Sequence, residues 1–124
     1  MLPFSVQFQP GSPPYEQVIY AVKKALVTGQ LRPGDRFPAV RTLSQELKIN
    51  PNTAHKVVLA LTQEGFLEVR TGVGTVVAAA PKATRAQQRE LLGDAVERLV
   101  VEARGLGLPV EEVVAAIHKH WNKL

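Results

Sequence analysis

Side chains that form hydrogen bonds cluster in residues 50–56 of this 124-residue chain. Asn50 precedes Pro51, a pair typical of a helix start because Asn caps the first turn and Pro fits into it. Successive residues of the helix that follows are about 100° apart, which places one polar group on its exposed side: Asn52, Thr53, His55 and Lys56. Amide, hydroxyl and ammonium groups can bind the edges of nucleic-acid bases, and Lys also neutralises phosphate. This face is therefore a candidate for binding double-stranded DNA in its major groove.

The residues that enzymes and metal sites use are scattered or absent. The sequence has no cysteine, which excludes disulfides, thiolate zinc sites and cysteine nucleophiles. It has neither a Gly-Lys phosphate loop nor a nucleophile elbow, and Ser44 and Asp94 fall on different predicted elements. His118 and His120 are two apart on a predicted helix and point about 200° away from each other, which is poor geometry for sharing a metal ion. We therefore expect no enzyme activity, no metal and no cofactor.

Composition and charge are those of an ordinary globular protein with a weak preference for a polyanion. The chain is 45% hydrophobic and 21% charged, with a formal net charge of +4. Residues 1–80 hold eight Lys+Arg and five Asp+Glu, so most of the positive excess lies there. The longest strongly apolar run, 76–80, is too short to cross a membrane, and the N-terminus lacks a secretory signal. A cytoplasmic protein is expected, with no membrane partner.

Three helices are predicted after an extended, uncharged arm over residues 1–13. The first is expected to have Ser12 as its cap and to stop at Gly29. The second is expected to begin near Pro38, and the third begins at Pro51. Apolar residues at helical spacing give each helix a face toward a common core: Val18, Ile19, Val22 and Leu26, then Val40, Leu43 and Leu47, then Ala54, Val57, Val58 and Leu61.

A hairpin is predicted after the third helix. Residues 66–69 and 75–78 are short β-branched or aromatic runs joined by a glycine-containing turn at 70–74. Three helices, the last two separated by a short turn, and then a hairpin describe a winged helix-turn-helix, mainly α with a small β-hairpin. In that fold the third helix can enter the major groove, and the wing can approach phosphates or the minor groove. Arg70 is the expected phosphate contact of the wing.

Residues 81–124 are predicted to form two further amphipathic helices, a short dimerisation or effector region after a DNA-binding domain at 1–80. The first helix runs from about 85 to 103, and the second follows a break at 105–109. Their apolar stripes are Leu92, Ala95, Val96, Leu99 and Ala103, then Val110, Val113, Val114, Ile117 and Trp121. Two helices of this size cannot bury both stripes alone, so they must pack against the first domain or against another subunit.

A series of short motifs runs through residues 12–78 in a fixed order. The motifs are Pro14-Tyr15-Glu16-Gln17, Gly29-x-Leu31-x-Pro33-Gly34-Asp35-Arg36-x-Pro38-x-x-Arg41-x-Leu43, Ile49-Asn50-Pro51-Asn52-Thr53, Glu64-Gly65 and Gly72-x-Gly74-Thr75-x-Val77. In this order they resemble the GntR family of bacterial transcription regulators. The short remainder, 81–124, is similar to the YtrA-like branch of that family. The resemblance implies a homodimeric repressor that binds a two-fold symmetric operator and dimerises through its C-terminal helices.

The resemblance also implies which residues contact DNA. Arg41, at the start of the second helix, matches a family arginine that contacts DNA. The glycines of the family's wing are matched by Gly72 and Gly74. The start and the exposed side of the recognition helix are matched by Asn50, Asn52, Thr53, His55 and Lys56.

Most of these residues also have a plain structural interpretation. Arg41 could be a solvated helix residue, and Asn50 caps its helix whether or not DNA is near. Gly72 and Gly74 could serve only the geometry of the turn. A second hypothesis for the whole chain is a winged-helix protein-interaction module without DNA-binding activity. A small-molecule effector, if one exists, is expected between the first domain and the C-terminal helices or at the dimer interface.

Overall fold

Three helices and a two-stranded hairpin follow one another in the first part of the chain. The computed structural model describes residues 2–79 and 83–124. The helices are α1 (Pro14–Val27), α2 (Val40–Leu47) and α3 (Pro51–Gln63), and the strands are β1 (Leu67–Arg70) and β2 (Gly74–Val77). The strands are antiparallel and pair from Leu67 opposite Val77 to Arg70 opposite Gly74. This order confirms the predicted fold class, a mainly α chain with a winged helix-turn-helix.

The chain divides into two compact units, Met1–Pro81 (unit 1) and Lys82–Leu124 (unit 2). The core of unit 1 is built from the inner faces of its three helices and from the hairpin. Its fully buried side chains include Val18, Val22, Leu43, Ala54, Val57, Leu61, Leu67 and Val77, together with Ala25 and Leu31. Burying one Val or Leu side chain contributes about 1.5–3 kcal/mol. The predicted inner faces are confirmed, and five of their residues are only partly buried: Ile19, Leu26, Val40, Leu47 and Val58.

The N-terminal arm packs into the core of unit 1 and is held at two places. Phe4 is 6% exposed, and its ring stacks on Phe37 with the ring centroids 6.0 Å apart. Farther along the arm, the Gln17 side-chain oxygen accepts from the N–H of Gln9 at 2.9 Å. The Gln17 side-chain nitrogen donates to the carbonyls of Gln9 and Ser12, both at 2.8 Å. The arm is therefore a fixed part of the fold.

The predicted cap of α1 is wrong. Pro14 is the first helical residue, so the capping position falls on Pro13, whose side chain has no acceptor. Ser12 lies one residue too early to cap, and its carbonyl instead accepts from Gln17. The Pro13 carbonyl accepts from the N–H of Glu16 at 3.1 Å. The helix thus begins where Pro14 permits, without a side-chain cap.

The turn between α2 and α3 is closed by two hydrogen bonds. The helix α2 starts later than Pro38 because Ala39 is still extended. At its other end Lys48 adopts the left-handed conformation with φ 55°. The Ile49 N–H donates to the Ser44 carbonyl at 3.1 Å, and the Ser44 hydroxyl donates back to the Ile49 carbonyl at 2.8 Å. This closed turn sets where α3 begins relative to α2.

The segment before α2 fixes the hairpin to unit 1. The Gly34 N–H donates to the Val77 carbonyl, and the Val77 N–H donates to the Asp35 carbonyl, both at 2.8 Å. The Phe37 N–H donates to the Thr75 carbonyl at 2.9 Å. The strand β2 therefore has partners on both edges, β1 on one and residues 34–37 on the other. The base of the wing is therefore joined to the rest of unit 1 by paired backbone donors and acceptors.

Unit 2 contains α4 (Arg85–Glu90), α5 (Val96–Gly105) and α6 (Val110–Lys123). A π-helical turn over Leu91–Ala95 joins α4 to α5. The predicted single helix therefore exists but is not regular. One additional residue in such a turn rotates the residues before it relative to those after it. The single stripe from Leu92 to Ala103 therefore stays a prediction, because the turn changes the rotation of Leu92 relative to Ala103.

Most large apolar side chains of unit 2 are exposed within the chain. Ala103 is buried and Val113 is half-buried. By contrast, Trp121 is 80% exposed. The other exposed apolar residues of α5 and α6 include Leu99, Val100, Val114 and Ile117. The described helices include none with the length and apolar character needed to cross a membrane.

Candidate nucleic-acid interface

The first turn of α3 is capped by Asn50, as predicted. The Asn50 side-chain oxygen accepts from the backbone N–H of Asn52 at 2.8 Å, and Pro51 occupies the first helical position. The bond removes one of the unpaired N–H groups of the helix start. Because the Asn50 oxygen is used in this bond, the side-chain nitrogen of Asn50 is the group that can donate a hydrogen bond to an acceptor on DNA.

The side of α3 turned away from the core carries the predicted polar residues. Ala54, Val57 and Leu61 are fully buried and define the inner face. The outer face is formed by Asn52, His55 and Lys56, which are exposed, and by Thr53, which is half-buried. Thr53 and Lys56 also line a shallow depression, together with Tyr15, Leu59, Ala60 and Gln63. The outer face presents these hydrogen-bonding groups together with one exposed apolar side chain, Leu59.

Arg41 lies in the first turn of α2 and is exposed. The capping residue of this helix, Ala39, has no side-chain acceptor, and the first turn contains no acidic residue. A helix start carries partial positive charge on its unpaired N–H groups. Arg41 belongs to this first turn, so a phosphate group near the start of α2 is within the reach of both sources of positive charge.

The charged groups of the wing are paired with each other. The Arg70 guanidinium donates through Nε and Nη2 to a single oxygen of Glu68, Oε1, at 3.1 and 2.8 Å. Glu68 and Arg70 are two residues apart on β1, so both side chains project from the same face of the strand. The predicted phosphate contact, Arg70, thus already has a carboxylate partner in the chain.

The two wing glycines are explained by backbone conformation. The turn is closed by the N–H of Val73, which donates to the Arg70 carbonyl at 3.0 Å. Gly72 has φ 79° and Gly74 has φ 106°, conformations that side chains disfavour. A Cβ atom at either position would meet nothing within 4 Å, so crowding does not require glycine there. The interpretation as turn residues is confirmed, and a contact with DNA stays a prediction.

The structure brings some of the predicted site residues together and separates others. Asn50 is bonded to Asn52, and Thr53 shares its depression with Lys56. The lining of that depression does not include Arg41, His55 or Arg70. Sequence reasoning gave no site role to Tyr15 or Glu68. The alternation of side chains along a strand was the signal that could have linked Glu68 to Arg70.

No cluster of three or more His, Asp or Glu side chains within residues 2–79 and 83–124 could hold a metal ion. The two histidines of α6, His118 and His120, are both exposed. The outer face of α3 and the exposed Arg41 offer hydrogen bonds and positive charge. Proteins use both to recognise nucleic acids.

Comparison with known proteins gives matches over both parts of the chain. The family model described as bacterial regulatory proteins, gntR family, matches residues 14–77. The HTH-type transcriptional repressor YtrA of Bacillus subtilis (strain 168) is 32% identical over 111 residues, which are 87% of this chain and 85% of that protein.

Two solved structures are similar to the fold. The crystal structure of a transcriptional antiterminator from Listeria monocytogenes EGD-e superposes with a TM-score of 0.82, covering 94% of this chain and 88% of that one at 22% identity. The DNA-binding domain of AraR, solved in complex with operator ORX1, gives a TM-score of 0.52 at 30% identity. That match covers 60% of this chain and 95% of the AraR domain.

Proposed function

Because the chain belongs to the GntR family of bacterial regulatory proteins and is a DNA-binding regulator of transcription, we propose that it is a cytoplasmic homodimeric repressor acting at a two-fold symmetric operator. The similar protein YtrA is named a repressor, and the AraR domain was solved with an operator. Both support the proposal. Residues 1–80 form the proposed DNA-binding domain, and residues 81–124 form the proposed dimerisation region.

The observation that carries the proposal is the outer face of α3. This helix has a fully buried inner face and an outer face of amide, hydroxyl, imidazole and ammonium groups. An α-helix fits the major groove of DNA, where such groups distinguish base pairs by their donors and acceptors. In the proposal α3 lies in the major groove, with its start at Asn50 nearest to the bases. The groups that read or approach the bases are Asn52, Thr53, His55 and Lys56.

Backbone phosphates are bound in the proposal by α2 and by the wing. Arg41 contributes a guanidinium beside the uncapped start of α2. Arg70 contributes the one positive side chain of the wing, residues 66–79. Gly72 and Gly74 carry no side chain that would keep phosphate away from their backbone N–H groups. These contacts set the position of the protein on DNA, whereas α3 supplies the sequence preference.

The function is tested by a gel-shift titration with the DNA upstream of the protein's own gene, at two salt concentrations. We expect a selective shift with two chains per site that weakens steeply as salt rises, because phosphate binding releases counterions. If no selective shift occurs, selection from random duplex DNA follows. Failure of that selection as well would contradict the proposal and favour the protein-interaction module.

Replacing Arg41 by alanine should weaken operator binding by about 1–3 kcal/mol without unfolding the protein. The loss is expected because the guanidinium is exposed and no other charge in that turn replaces it. Binding is measured by fluorescence anisotropy, and folding by circular dichroism. Lys24→Ala, measured without any added small molecule, is the matched control because Lys24 is an exposed cation of α1 and belongs to none of the segments proposed to contact DNA. Equal effects of the two substitutions would show that net charge, and not a contact by Arg41, governs binding.

Dimerisation is proposed from the exposed apolar surface of unit 2. Leu99 and Val100 on α5 are 40% and 43% exposed, and Ile117 and Trp121 on α6 are 48% and 80% exposed. Exposed apolar surface rimmed by polar residues is typical of a site that another protein chain covers. A second copy of the chain is the proposed partner because two linked DNA-binding domains match the two halves of a symmetric operator.

A small-molecule effector is a further part of the proposal. Unit 1 offers space for one at a place that differs from the two expected from the sequence, in an open groove of about 970 Å³ between the N-terminal arm and α1. Its lining combines charged, amide and aromatic groups: Glu16, Gln17, Tyr20, Lys24 and Gln30. Ligand sites commonly have volumes of about 300–1,000 Å³ with a few polar groups.

A further inference from the structure

The wing carries one positive and one negative side chain, and they neutralise each other. Between residues 66 and 79 the charged residues are Glu68 and Arg70. Their ion pair has a shortest distance of 2.8 Å, and the side chains are 45% and 51% exposed. The carboxylate of Glu68 does not help the wing to attract phosphate, because both groups are negatively charged.

The hairpin register leaves Arg70 no side-chain neighbour across the sheet. The residue opposite Arg70 is Gly74, and the residue opposite Glu68 is Val76, which is buried and uncharged. Side chains that lie opposite each other in an antiparallel pair are the usual partners in a sheet. Because neither opposite residue offers a charge, Glu68 and Arg70 pair along their own strand.

The ion pair uses an edge of the Arg70 guanidinium that could also bind phosphate. Both Nε and Nη2 of Arg70 donate to Glu68 Oε1. This side edge of the guanidinium is one of the edges that can donate two parallel hydrogen bonds to a phosphate group. A phosphate bound there must displace the carboxylate, which then stays nearby as a negative charge. An exposed pair is weak enough to be exchanged in this way.

We propose that Glu68 competes with DNA phosphate for Arg70 and thereby lowers the affinity of the wing for the DNA backbone. The inference rests on the proposed function, because it assumes that the wing approaches DNA. Glu68 is a positioning residue in this proposal, since it acts on DNA through Arg70. Its effect does not depend on base sequence, because a phosphate group is the same at every position.

The test is Glu68→Gln, which removes the charge and keeps the size of the side chain. Binding is measured by fluorescence anisotropy with the operator and with a random-sequence duplex of equal length, at several salt concentrations. We expect both affinities to rise about three- to tenfold. We also expect the plot of log affinity against log salt to steepen by about one unit, because Arg70 is then free to replace one more counterion.

Two comparisons separate competition for Arg70 from a change in net charge. Glu64→Gln removes a carboxylate of similar exposure, 42%, whose partner is Lys23 at 3.4 Å. It is expected to change affinity by less than twofold. In an Arg70→Ala background, Glu68→Gln is expected to lose more than half of its effect on log affinity.

The outcomes distinguish this inference from the proposed function. If the unmodified chain selects no DNA sequence, the proposed function fails and the inference fails with it. If the chain binds its operator but Glu68→Gln leaves affinity and salt dependence unchanged, or weakens binding, competition for Arg70 is wrong. An equal gain from Glu64→Gln, or an undiminished gain in the Arg70→Ala background, would overturn it as well.

Discussion

Ile117→Asp is expected to convert the proposed dimer into monomers and to weaken operator binding by about 100-fold or more. Ile117 lies in the middle of the apolar stripe of α6, and 48% of it is exposed within one chain. A carboxylate at the centre of an apolar interface loses its hydration without gaining a partner. Two linked DNA-binding domains gain about 10²- to 10⁴-fold in avidity from their effective concentration, and a monomer loses this gain.

The dimer prediction is checked by sedimentation velocity together with operator binding. Trp121 is the single tryptophan of the chain, so its fluorescence also reports whether the α6 surface is covered. Asn122→Asp adds the same charge about 140° around the helix from Ile117 and is expected to remain dimeric. Circular dichroism verifies that both variants keep their helices. A dimer of unchanged affinity in Ile117→Asp would place the interface outside the α6 stripe.

Phe4→Ala is expected to lower the free energy of unfolding of unit 1 by about 3 kcal/mol or more. The ring is 6% exposed and stacks on Phe37, so its removal leaves a cavity beside the segment that leads into α2. Leu2 and Val6, two other residues of the arm, pack against the same core. The prediction is specific to this fold, because an arm that merely extended into solvent would tolerate the change.

Urea unfolding followed by circular dichroism measures this loss. Phe8→Ala is the matched control, because Phe8 lies on the same arm but is 41% exposed. Its expected cost is about 1–2 kcal/mol, because it buries a smaller area and its removal leaves no enclosed cavity. Similar costs for the two substitutions would mean that the arm is not part of the core of unit 1.

Features that depend on neighbouring residues were predicted well from the sequence. Asn50 and Pro51 define the start of α3, and the observed bond joins atoms only two residues apart. The turn after Arg70 follows from the positive φ values that Gly72 and Gly74 allow. The buried faces of the helices follow from the 3.6-residue period, which needs no knowledge of what the faces contact.

Two expectations, one for a helix cap and one for a helix surface, were affected by details of the backbone at the level of a single residue. Ser12 is a good capping residue by type, but Pro14 places the cap at Pro13. The stripe from Leu92 to Ala103 assumed a regular helix, and the π-helical turn changes its rotation. Residue type alone does not set these offsets, because they depend on the backbone conformation at the helix start and in the π-helical turn.

The sequence by itself determined the family motifs, the winged helix-turn-helix order and the polar face of α3, because each of these is a local pattern of residue types. The tertiary structure decided that Phe4 belongs to the core and that Glu68 holds Arg70. Phe4 is buried by residues distant in sequence, and the pairing on β1 depends on Gly74 being the residue opposite Arg70. Burial and pairing are properties of the space around a side chain, and only folding brings together the residues that form that space.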